Sequence, residues 1–146
     1  MSNHWLSIPL EDYEGHMGDA AVQQLGALSE FFRRVLDLYR PVSVGVLGVA
    51  GGNGLEHIDA TVTKRVIGVD INQHYLDEVQ RRFDGLAGLE LYCRDFGESN
   101  LLNLPRVDLV HADLIFEHAG LGRRRARHSA EVREPRGEPT RRVKIS

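Results

Sequence analysis

The sequence predicts an α/β protein in which a parallel sheet is flanked by helices, and three observations carry that expectation. Short, uncharged or β-branched runs recur as Val42 to Val49 (VSVGVLGV), Arg65 to Val69 (RVIGV), Leu89 to Cys93 and Val107 to Ala112 (VDLVHA). Helical segments separate them, so the strands form βαβ units with parallel, right-handed crossovers. The first strand ends in a glycine cluster, Ala50-Gly51-Gly52-Asn53-Gly54, where a strand turns into a following helix. Together these give a Rossmann-like sheet, with no repeat at solenoid spacing.

The elements follow in order. Val22, Leu25, Leu28, Phe32, Val35 and Tyr39 recur at steps of three and four, which puts them on one face of a helix of about five turns. Asp19 is placed to cap its start, and Pro41 cannot continue it. Residues 55–60 (LEHIDA) read as a short helix. Asn72 to Phe83 reads as another, with Leu76, Val79 and Phe83 on one face. Either Asp70 or Asn72 can cap it.

Composition limits the function. The chain has 146 residues, 42% hydrophobic and 27% charged, as expected of one globular domain. No apolar run approaches the ~18 residues that span a bilayer, and the opening MSNHWLSIPLEDYEGH is no signal peptide, so a cytoplasmic address and no membrane partner are expected. Cys93 is the only cysteine, which excludes an internal disulfide and a multi-thiolate zinc site; none of the seven histidines pairs at metal-ligand spacing, and no metal is expected. Cys93 reads as a buried packing residue in its strand. His57 and His74 fall on exposed-looking helices, whereas His111 and His118 flank the end of the fourth strand.

The net charge of −3 divides unevenly. Residues 1–122 hold 9 basic and 18 acidic side chains, and residues 123–146 hold 9 and 3. In that last stretch only Ala126, Ala130, Val132, Val143 and Ile145 are apolar, so it is expected to be a basic, disordered tail. Eight arginines among 24 residues, with Pro, Gly, Ala and His, is the composition that a shifted reading frame of GC-rich DNA produces, and a frameshift product is one expectation. A basic arm for nucleic acid is the other. It lacks interleaved aromatics and follows an acidic segment, so no nucleic-acid partner is expected.

The chemistry concentrates at the glycine turn. Its main-chain amides can lie against a ligand without a Cβ in the way, although such a turn also serves merely to reverse the chain. Sixteen residues beyond Gly54, Asp70 ends the second strand, where a carboxylate can accept both ribose hydroxyls. AGGNG does not read as the G-x-G-x-x-G nicotinamide fingerprint, and no Tyr-x-x-x-Lys is present, so an NAD-dependent oxidoreductase is the weakest reading.

Gly48-Val49-Ala50-Gly51-Gly52-Asn53-Gly54 instead resembles the cofactor loop of class I S-adenosylmethionine-dependent methyltransferases, (D/E)-x-G-x-G-x-G. Gly48 stands where that pattern has an acid and Ala50 where it has its first glycine. The likeness extends to Trp5–Leu10, to Asp12–Met17 and to LIFEH, and over residues 5 to about 122 it is similar to a group of small bacterial methyltransferase-domain proteins. The resemblance implies S-adenosylmethionine as cofactor. It implies that Ala50, Gly51 and Gly52 contact it through backbone, that Asp70 holds the ribose and Asp95 with Phe96 the adenine, and that Ile71 and Ala112 are further cofactor-binding residues. Residues 1–17 would be a segment over the cofactor pocket, with Tyr13 and His16 as lid residues or, equally, Trp5, Ile8 and Tyr13 simply packed on the sheet. Residues 18–122 would be a partial methyltransferase domain.

The resemblance also implies strand order 3-2-1-4-5-7-6, of which strands five to seven are not found in this sequence. The fourth strand would then be an unpaired apolar edge prone to self-association. The expected function is methyl transfer to an unknown, small-molecule acceptor with no assigned catalytic base, the alternative being a non-catalytic S-adenosylmethionine- or nucleoside-binding fragment of the same fold.

Overall fold

The computed structural model describes residues 4–16, 22–95, 103–112, 129–132 and 141–144. A 3-10 turn at His4–Ser7 leads into α1 (Leu10–His16), followed by α2 (Val22–Tyr39) and β1 (Ser43–Leu47). A single 3-10 turn, Leu55–His57, stands where residues 55–60 suggested a short helix. Then come β2 (Arg65–Asp70), α3 (Gln73–Arg82), β3 (Leu89–Cys93) and β4 (Leu109–Ala112), and two short strands, β5 (Ser129–Val132) and β6 (Arg141–Lys144).

One sheet holds all six strands in the order β3-β2-β1-β4-β5-β6, and β1 to β4 are parallel. β1 lies between β2 and β4, so both its edges are paired and its middle residues Val44, Gly45 and Val46 are buried. That accounts for its charge-free sequence. β1 and β4 are shorter than their apolar runs: the β1–β4 ladder begins at Val44 opposite Leu109, leaving Val42 and Val107 outside it.

Among the described residues the expected open β4 edge is not found. β5 pairs antiparallel with β4 through Leu109↔Val132 and Val110↔Glu131, and β6 pairs with β5. The physical reason is that a strand edge presents a row of free N–H and C=O groups, and a ladder on it needs backbone only.

α2 builds the core on one side of the sheet. Leu28, Phe32, Val35 and Leu36 are buried, and Phe32, Val35 and Leu36 join one cluster with Val44, Val46, Val66 and Leu109. The opposite face is solvated and carries the Glu30–Arg33, Glu30–Arg34 and Arg33–Asp37 ion pairs at i,i+3 and i,i+4 spacing. Asp19 lies outside the described residues. At the other end Arg40 adopts a left-handed φ of 43° and Pro41 follows, which stops the helix.

Asn72, not Asp70, caps α3: its side chain accepts from the His74 amide at 3.0 Å. Tyr75, Leu76 and Val79 form the buried face of α3, and Phe83 packs against the same cluster. Registers Leu47↔Ala112, Leu47↔Val69 and Asp70↔Cys93 bring the carboxyl ends of all four parallel strands to one edge. Ligands of open α/β sheets bind at that edge.

Candidate functional site

β1 hands over to the glycine loop without leaving the sheet, because the amides of Gly48 and Val49 both donate to the Val69 carbonyl, at 2.8 and 3.1 Å. The loop then tightens, with Gly52 N–H donating to Val49 O at 2.8 Å. Gly52 has φ +87°, and a Cβ there would lie 2.5 Å from the Phe83 ring, so this position requires glycine on two counts.

Ala50 is left-handed as well, at φ 45°. For a residue with a Cβ this costs roughly 1–2 kcal/mol. Ala50→Gly is expected to raise stability by about 0.5–1 kcal/mol, the strain relieved less the added freedom of glycine in the unfolded chain. Urea denaturation checks it, and a lower midpoint for the variant would contradict the strained loop.

Asp70 is what holds that conformation. It is 7% exposed; its Oδ2 accepts from the Ala50 amide at 2.9 Å and its Oδ1 from the Asn72 amide at 3.0 Å. Burial pushes its carboxyl above the usual carboxylate range, while the amides of Asn72, Ala50 and Ile71 pull the other way. One side chain thus joins the end of β2, the glycine loop and the start of α3. With three amides donating to it, the carboxylate keeps one acceptor site for a hydroxyl donor.

A cavity of about 310 Å³ opens beside the loop. Residues 46–53 line it from the sheet side, Leu25 and Leu28 from α2, His111 from β4, and Glu14, Glu56, Arg82 and Phe83 complete it. Of the sequence-derived candidates, Ala50, Gly51 and Gly52 are in this lining. Asp70, Ile71, Asp95 and Ala112 are not, although Asp70 and Ala112 end strands at the same edge. Phe96 and His118 lie outside the described residues, as do the side chains of Tyr13 and His16. Among the described residues, no group of three or more His, Cys, Asp or Glu is arranged to hold a metal, and no helix is long and apolar enough to cross a membrane.

Several lining residues had no signal in the sequence. Glu14 on α1 meets Arg82 at the end of α3, and Tyr75 on α3 donates its hydroxyl to Ile8 O at 2.8 Å, so the segment before α2 is docked on α3 and the loop. His111 is buried and stacks on Phe32 with ring centroids 4.3 Å apart. His57 is not simply exposed: its Nε2 is 2.8 Å from Ser29 Oγ, whose hydroxyl donates to Glu56 Oε1 at 2.9 Å. With the only hydroxyl proton directed at Glu56, this trio braces α2 against the 55–57 turn and does not activate a nucleophile. Cys93 is half-buried, and its thiol donates to Ile71 O at 3.3 Å.

The chain matches no protein-family model and no curated protein. Its fold does match solved structures. An S-adenosylmethionine-dependent methyltransferase from Clostridium acetobutylicum is 14% identical, with 94% of this chain and 80% of that one covered at a TM-score of 0.50. The plantazolicin methyltransferase, solved in complex with S-adenosylhomocysteine, is 18% identical, with 79% of this chain and 47% of that one covered, also at 0.50. The chain spans less than half the length of several solved methyltransferases it matches, among them 31% of a dimethyladenosine transferase from Plasmodium falciparum. Parallel strands in the order β3-β2-β1-β4, the glycine loop after β1 and the acid ending β2 thus occur here on the fold of the class I S-adenosylmethionine-dependent methyltransferases.

Proposed function

We propose that this chain binds S-adenosylmethionine at the carboxyl edge of β1, β2 and β4 and serves methyl transfer to a small-molecule acceptor. One observation carries the reading: the glycine loop, locked to Asp70, borders a cavity within the ~300–1,000 Å³ range of small-molecule sites. The glycine-loop residues in the cavity lining support a fit to the cofactor. Ala50, Gly51 and Gly52 would approach it through backbone, Asp70 and Ile71 would hold the ribose side, and Asp95, Phe96 and Ala112 would flank the adenine. When bound, the sulfonium supplies an activated methyl group. Alignment then contributes most of the rate, and the chain's own task is to hold donor and acceptor in line and exclude water. A small acceptor accords with the 18 acidic and 9 basic side chains of residues 1–122, which would repel a phosphate backbone.

The test is calorimetry of the full chain with S-adenosylhomocysteine, expected to show saturable 1:1 binding competed by S-adenosylmethionine. Absence of binding to either overturns the reading. A non-catalytic binding module on the same fold is the second reading, favoured by Gly48 standing where the resembling loop has its acid. Formation of S-adenosylhomocysteine with any member of an acceptor panel would exclude it.

A further inference from the structure

The charged side of the cavity comes from outside the sheet. Glu14 and Arg82 form a two-point ion pair, Nη1 to Oε1 at 2.6 Å and Nη2 to Oε2 at 3.1 Å, each side chain 34% exposed. Arg82 Nη1 also donates to the Gly51 carbonyl at 3.2 Å, and its Nε to Glu78 Oε1 at 2.8 Å. Glu14 lies so close to the loop that a Cβ on Gly51 would overlap its Oε1. Glu56 stands in the same lining, its Oε2 accepting from the Gly54 amide at 2.8 Å. Two carboxylates and one guanidinium therefore face one small space, a net −1.

We infer that Glu14, Glu56 and Arg82 form the subsite for the α-amino-acid end of the ligand, an inference that rests on the cofactor reading above. An α-ammonium beside an α-carboxylate is the charge pattern that such a lining complements: the two glutamates receive the ammonium and the guanidinium receives the carboxylate. With the sulfonium, S-adenosylmethionine carries a net +1 against the −1 of the lining, whereas S-adenosylhomocysteine is neutral. The subsite thus prefers the methyl donor to its product. Entry of the zwitterion exchanges the Glu14–Arg82 pair for two contacts to the ligand, so α1 forms part of the site.

Calorimetry on the full chain tests this with three probes: S-adenosylmethionine, S-adenosylhomocysteine, and 5′-methylthioadenosine, which lacks the amino-acid end. S-adenosylhomocysteine is expected to bind the wild type more tightly than 5′-methylthioadenosine. Glu14→Gln and Arg82→Gln are each expected to weaken S-adenosylhomocysteine by about tenfold and to leave 5′-methylthioadenosine unchanged. Glu14→Gln and Glu56→Gln are both expected to narrow the preference for S-adenosylmethionine over S-adenosylhomocysteine. Glu14 and Arg82 are partly exposed, where ion pairs contribute little to folding, so thermal melts of Glu14→Gln and Arg82→Gln stay close to wild type, whereas Glu56→Gln also loosens the Ser29 brace and melts lower. Equal weakening of all three probes, or no weakening, overturns the subsite while leaving the cofactor assignment intact. Wild type that binds 5′-methylthioadenosine as tightly as S-adenosylhomocysteine does the same. Wild type that binds none of the three overturns both.

Discussion

Asp70→Ala is expected to destabilise the fold by about 2–4 kcal/mol, because it removes the carboxylate to which the amides of Ala50 in the glycine loop and Asn72 at the α3 entry donate. Against a total stability on the order of 5–15 kcal/mol this is a large share. Loss of ligand binding in Asp70→Ala would therefore say little about ribose recognition unless folding is measured beside it. Asp70→Asn separates the two. Its carbonyl can replace one accepted bond, but its NH₂ faces the second amide donor, so an intermediate loss is expected. The pH dependence has a definite sign: burial raises the folded carboxyl above its ordinary 3.8, so the contribution of Asp70 is full below that value and is lost as pH rises through the folded one. Urea midpoints across pH 3 to 7 should show the advantage of wild type over Asp70→Asn shrinking upward. An advantage that grows with pH would contradict a burial-dominated carboxylate.

Much of this architecture can be read from residues. The runs 43–47 and 65–70 are largely apolar or β-branched because strands buried inside the sheet must be, and the spacing Leu28, Phe32, Val35 marks the face α2 turns to the sheet. The glycine loop is legible for a similar reason, since its backbone angles exclude most residue types. Glu14 and Arg82 are not legible. They are ordinary surface charges 68 positions apart, and only the docking of α1 on α3 makes them neighbours. The β4–β5 pairing is hidden differently, because its ladder is made by main-chain groups that every sequence possesses. Asp70 shows a third case: residue type and position are both visible, but not that backbone amides, among them those of Ala50 and Asn72, already share its carboxylate.

Phe32→Ala is expected to have the largest effect of any single truncation, about 3–5 kcal/mol, the range for removing a buried phenylalanine ring. Phe32 is 1% exposed and sits where three parts of the molecule meet. Its ring stacks on His111 of β4, and a Cβ on Gly54 would lie 2.8 Å from its Cδ1, so the side chain also forms the floor beneath the end of the glycine loop. Removing the ring leaves a void under the loop and takes away the face on which His111, which lines the cavity, is stacked. Affinity for S-adenosylhomocysteine should fall along with stability. Phe32→Leu keeps much of the volume but not the flat face, and a smaller loss of stability is expected with His111 still unstacked. Urea denaturation and calorimetry on both variants distinguish packing from stacking. A leucine variant that recovers stability but not binding identifies the Phe32–His111 stack as what shapes the cavity, whereas wild-type stability in Phe32→Ala would mean that α2 does not dock on β4 through this ring.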